Sequence, residues 1–139
     1  MSDFIISVRG IQQIDDYSDE TELLTSCSYK RINDSYIINY TMYDENSKTN
    51  KESTIKIEDS GLITLLKKET NTSKLKFEKN KRHICSYNTE YGIITFSTFT
   101  KKIINNLGPK GGKLELYYSL DANSNHLSEN TVIINIKRS

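Results

Sequence analysis

Apolar and polar residues alternate along nearly the whole chain, and no long stretch keeps a helical period. Residues 4–8, 36–43, 91–99, 114–120 and 131–136 are rich in Ile, Tyr and Thr and are bounded by turn formers. A side-chain period of two over short runs is the signature of strands, because successive side chains on extended backbone face opposite ways. Many short strands in a chain this small must hide their edges, and closure into a barrel hides all of them. The pattern predicts an all-β fold, a closed antiparallel barrel of about eight to ten strands. It names no reaction.

With 139 residues the chain is read as one domain, residues 1–139. At that size folding buries roughly two-thirds of the chain's surface, so neither disulfide nor metal is needed. Nineteen basic and eighteen acidic residues leave a net charge of +1, which argues against nucleic acid as partner, since phosphate binding demands a basic excess. The start, Met1-Ser2-Asp3-Phe4, does not read as a secretory leader, and no apolar run approaches the ~20 residues of a membrane-spanning helix. Cys27 and Cys85 lie in strand-like segments without metal or redox spacing, and read as small buried hydrophobes of a reducing compartment. The expected location is the cytoplasm.

Along the chain, strand one covers residues 4–14, with Gly10 expected to mark a bulge or bend. An acidic turn over 15–20 leads to a strand over 21–32, and Asn33-Asp34 makes a hairpin. Residues 44–51 and 121–130 read as polar loops, and 79–82 as a hairpin cap. Over 101–110, Ile103, Ile104 and Leu107 have the spacing of one or two helical turns ended by Gly108-Pro109, the chain's only helical candidate.

Tyr87-Asn88-Thr89-Glu90-Tyr91-Gly92 forms a Tyr-x-Thr-x-Tyr-Gly segment, and Gly111-Gly112 leads into a strand closing on Tyr118-Ser119-Leu120. An earlier segment, Thr25-Ser26-Cys27-Ser28-Tyr29, has the form Thr-x-Gly-x-Tyr with Cys27 in the glycine's place. In these motifs and their order the chain resembles the YwiB-like family of small bacterial β-barrels, a domain of unknown function, from the first strand to the last. The resemblance implies a calycin-like or lipocalin-like closed barrel, a cytoplasmic setting and no assigned activity. It supplies no catalytic residues.

Candidate chemistry is sparse. His83 and Cys85 lie two apart on one strand, too far for a direct hydrogen bond along extended chain. Gly108-Pro109-Lys110-Gly111-Gly112-Lys113 lacks the Ser or Thr and the following helix of a phosphate loop, and its glycines are read as supplying the backbone angles of a tight entry into the next strand. The acidic pairs Asp15-Asp16 and Asp19-Glu20 belong to a solvated turn. No enzyme, cofactor or metal site is therefore expected, nor a membrane partner.

The barrel interior remains. Nine tyrosines and no tryptophan suggest a polar-networked core or a partly wet pocket, since a buried Tyr hydroxyl needs a partner. Alternation places Leu114, Leu116, Tyr118 and Leu120 inward. Tyr36, Tyr40, Tyr87, Thr89, Tyr91 and Tyr118 are the candidates for lining a pocket for a small, mostly apolar ligand. The alternative is a solid barrel that contacts another protein or pairs as a homodimer.

Overall fold

Two-residue turns dictate how the strands connect. Asp15 and Asn33 take left-handed φ values of 51° and 55°, which Asp and Asn tolerate better than most residues, and each reverses the chain tightly. A computed structural model describes residues 3–45, 48–68, 72–89, 91–122 and 125–139, without the side chains of Asp44, Tyr87, Asn88 and Thr89. The strands are β1 (Phe4–Ile14), β2 (Tyr17–Ile32), β3 (Ser35–Asp44), β4 (Thr49–Glu58), β5 (Ile63–Lys68), β6 (Thr72–Phe77), β7 (Arg82–Thr89), β8 (Gly92–Gly108), β9 (Gly111–Ala122) and β10 (Asn125–Arg138). Each pairs antiparallel with the next, and β1 pairs with β10 from Phe4↔Arg138 to Gln13↔Glu129 to close the barrel. Among the described residues no helix is long and apolar enough to cross a membrane.

The fold is all-β, as the alternation predicts, but the 101–110 stretch is a correction. Instead of a helix it is the second half of β8, whose register against β9 shifts between Thr100 and Lys102. Before the shift even-numbered residues point inward (Thr98, Thr100). After it Ile103 and Leu107 pack on the core. One extra residue flips the facing of everything beyond it, and the broken alternation imitates a helical spacing. Gly10 is the converse correction, because pairing runs unbroken through Gly10↔Thr21 and Gly10↔Val132, with no bulge. The expected polar loops are also shorter: β3, β9 and β10 extend into them, and β2 begins at Tyr17.

Two seams are thin. The ladder between β2 and β3 has five pairs and stops at Ser28↔Asn39, so the outer parts of both strands diverge. Between β6 and β7 the register among the described residues has one pair, Ser73↔Tyr87. There Thr98, wholly buried on β8, donates its Oγ1 hydrogen to the Lys76 carbonyl at 2.7 Å and ties β6 to β8 directly. Thr100, two residues on and equally buried, has no partner for its Oγ1 among the described residues.

These two threonines give opposite expectations. Thr98→Val strands the Lys76 carbonyl and is expected to cost about 1–3 kcal/mol, whereas Thr100→Val removes an unmet polar atom and is expected to be neutral or stabilising by about 1 kcal/mol. Urea unfolding of the two variants side by side checks this. Equal destabilisation would contradict the assignment.

Candidate functional site

One end of the barrel is plugged. Phe4 and Tyr29 meet edge-to-face with centroids 5.2 Å apart, and Tyr29 stacks on Tyr36 at the same distance. The Tyr29 hydroxyl donates to the Gly108 carbonyl at 2.7 Å, reaching across to the end of β8. Arg31 covers the Tyr36 ring and Arg138 the Phe4 ring, with guanidinium carbons 5.0 and 5.2 Å from the centroids. Above this plug Ile6, Ile38, Ile55, Ile63, Phe77 and Leu114 fill the interior as part of one buried cluster. Burial among these groups pushes the Tyr29 hydroxyl pKa far above its ordinary value.

The other end opens where β2 and β3 part. There the inward positions turn from apolar to mixed. On β4 the buried series Ile57, Ile55, Ser53 continues to half-buried Lys51, and on β5 the series Ile63, Leu65 continues to exposed Lys67. Ser53 stands opposite both Tyr40 and Lys67, and Lys51 opposite Met42, so these side chains share one face. A cleft of about 250 Å³ is lined by Val8, Leu23, Tyr40, Met42, Lys51, Ser53 and Lys67, with Thr21 and Glu22 at its edge. A second, of about 310 Å³, adjoins it through Thr21 and Lys67 and reaches Tyr118, Leu120, Asn130 and Gln12.

Polar groups in this mouth are held in place. Ser128 accepts hydrogen bonds from Asn130 Nδ2 at 2.9 Å and Gln12 Nε2 at 3.4 Å. Tyr40 shares a hydrogen bond with Ser53, and burial raises its pKa. Burial, with Cys85 nearby, pushes Tyr118 up to about 12, so both phenols stay neutral donors at physiological pH. A larger trough of about 720 Å³ runs along the outer face past Ile5, Ser7 and Leu24, but it is open surface and does not lead inside.

Of the six candidate side chains, Tyr40 lines the first cleft and Tyr118 the second. Tyr36 belongs to the plug. Tyr91 is a correction: it occupies the β7–β8 turn with its side chain 92% exposed, because the hairpin tip projects beyond the barrel. The side chains of Tyr87 and Thr89 lie outside the described residues. Nothing in the tyrosine pattern points to Lys51, Lys67, Ser53, Gln12 or Asn130, although carrying the alternation of β4 and β5 outward past Ile55 and Leu65 puts both lysines in the inward phase.

The remaining reactive groups are occupied or sealed. Both cysteines are free and buried, and burial raises the Cys27 thiol to about 11. Cys85 Sγ lies 4.0 Å from the His83 backbone carbonyl, while the His83 ring faces Glu78 Oε1 at 3.0 Å. Among the described residues no three His, Cys, Asp or Glu side chains form a group able to hold a metal ion.

A ten-stranded antiparallel barrel with a plugged floor and one mixed-polarity mouth is the class of protein these features define. The chain belongs to the family described as a domain of unknown function, DUF1934, whose model matches residues 6–134. Among solved structures it is similar to the crystal structure of the ywiB protein from Bacillus subtilis, with a TM-score of 0.86 and 14% identity, covering 99% of this chain and 92% of that one. At that identity the likeness concerns the fold. No curated protein sequence matches the chain.

Proposed function

We propose that this barrel is a non-enzymatic, cytoplasmic binding protein that takes a small, mostly apolar molecule into its mouth. The observation that carries this reading is the pair of adjoining clefts where β2 and β3 diverge, with Val8, Leu23 and Met42 as apolar wall and Tyr40, Ser53 and Asn130 as fixed polar handles. Small-molecule sites draw affinity from an apolar surface and specificity from a few oriented polar groups. The molecule sits at the mouth rather than deep in the lumen, because the core cluster occupies the interior below Tyr118.

Sealed thiols support the non-enzymatic part of the reading, since only an accessible thiolate is a nucleophile. Both cysteines are expected to resist iodoacetamide in the native protein at mildly alkaline pH and to react fully once it is unfolded. Rapid native-state labelling of either, counted by mass, would reopen a catalytic role.

A second reading rests on the β7–β8 hairpin. Ile84 and Ile93 are 78% and 70% exposed on its outer face, where Ser86, Thr95 and Ser97 add no charge. Beyond Ser73↔Tyr87, β7 has no register pairing with β6 among the described residues. An antiparallel strand edge is complementary to its own copy about a two-fold axis, so the occupant this surface fits is a second copy of the chain.

Native mass spectrometry on protein gently purified from its host tests both. An extra small mass lost on denaturation supports the binding protein. Bare monomer counts against both readings, and a bare dimer favours the hairpin.

A further inference from the structure

Two polar rows face the mouth, and strand register defines both. On one wall Asp19, Gln12, Asn130 and Tyr118 stand opposite one another in turn across β2, β1, β10 and β9. On the other, Tyr40, Ser53, Lys67 and Ser73 do the same across β3, β4, β5 and β6. Both rows hold the inward phase, which a barrel normally fills with apolar side chains. Asp19, Gln12, Asn130, Tyr118 and Lys67 line one cleft, the second, whose apolar surface comes from Leu120 and Val132. Asn130 is only 8% exposed, and its Nδ2 and the Gln12 Nε2 both donate to Ser128, which leaves the two amide oxygens as acceptors. Charge here is balanced. The inward phase carries Asp19 and Lys67 at the second cleft, and Lys51 and Asp44 toward the outer ends of β4 and β3, opposite Met42 and Thr49. Glu22 is in the outward phase, opposite Arg9. Asp19 and Lys67 line the same cleft yet have no ion pair, with each other or with any other described residue.

We infer that the second cleft takes a small zwitterion, a free amino acid with a short apolar side chain. Its ammonium group lies on Asp19 and the oxygens of Gln12 and Asn130, its carboxylate on Lys67, and its side chain against Leu120 and Val132. This rests on the binding reading above and narrows it. A molecule with both charges meets both unpaired groups of the cleft. A simple anion would meet Lys67 but bring its charge toward Asp19, and a simple cation would do the reverse, so the wrong ligand is repelled as well as less well held. Tyr118, a neutral donor, can only add a hydrogen bond to the carboxylate. Lysine suits that end because its compact charge needs no planar partner.

The test is an amide NMR titration of the full chain with leucine, isocaproate, isoamylamine and isoamyl alcohol. These share a branched tail and carry both charges, the negative alone, the positive alone, and neither. Leucine is expected to shift Gln12, Thr21, Lys67 and Val132 and to bind about tenfold more tightly than any of the other three. Asp19→Asn is expected to lower leucine to the affinity of isocaproate without weakening isocaproate itself. Lys67→Gln is expected to lower leucine to the affinity of isoamylamine without weakening the amine. Both substitutions keep much of the side chain while removing its charge, and a dispersed spectrum confirms that each variant folds. Binding of any other probe as tightly as leucine at these amides overturns the zwitterion inference and leaves the binding reading standing. Full leucine affinity in either variant also overturns the inference alone. No shift with any of the four probes overturns both.

Discussion

Replacing Gly112 by alanine is expected to destabilise the barrel by about 3 kcal/mol or more, a large share of the stability of an ordinary domain. Gly112, the second residue of β9, has φ 136°, a region closed to side chains by their own Cβ. A methyl group there would collide with the Asn106 carbonyl oxygen, and would also lie 3.1 Å from both the Asn106 carbonyl carbon and Leu107 Cα. All three are backbone atoms of the paired strand and cannot swing aside. Gly111, at φ 107°, is confined in the same way against the Ile136 backbone. The two glycines therefore let β8, β9 and β10 close around the Pro109-Lys110 turn. Gly10→Ala is the control: its φ is ordinary and its nearest neighbour is the end of the Thr21 side chain at 3.0 Å, so a change within about 1 kcal/mol is expected. Urea unfolding of the two variants separates a required backbone shape from simple crowding.

The fold was legible because strand alternation and turn chemistry are local. Asn33-Asp34 announces a reversal and Gly111-Gly112 a tight entry into a strand, and the structure places a turn at the first and the start of β9 at the second. What escaped was phase. The shift between Thr100 and Lys102 depends on how β8 meets β9, a partner that the local pattern of β8 does not contain, so Ile103 and Leu107 pass for helical residues. The site escaped for a related reason. Tyrosine spacing marks which residues share a face, yet it does not say at what height along the barrel each one lies. Tyr36 and Tyr40 are four apart on one strand, and one is in the plug while the other is in the mouth. Polarity alone marks Lys51 and Lys67 as solvated; their phase is what brings them to the cleft. In a barrel whose strands outrun its core, phase decides which residues face the opening.

Phe77→Ala is expected to have the largest effect of any core truncation here, about 3–5 kcal/mol, measured as a lowered urea midpoint at unchanged slope. Phe77 is almost fully buried at the end of β6, opposite Ile63, and its ring lies 4.6 Å from that of Tyr118. It fills the space between the interior cluster and the wall of the second cleft, beside the thin β6–β7 seam. Removing it takes support from beneath Tyr118 as well as apolar area from the core. Two further results are expected from the same variant. Water reaching Tyr118 should bring its pKa down from about 12 toward the ordinary phenol value, read by ultraviolet titration. In the parent protein the raised value leaves stability intact below the ordinary phenol range, and stability is lost as pH climbs from there through about 12; in the variant that loss should be smaller. The vacated space, lined by apolar groups, should also bind benzene and recover part of the lost stability. A variant that loses stability without moving the Tyr118 titration would show that Phe77 and Tyr118 do not share one packed boundary, and the mouth would then have a floor other than the one described.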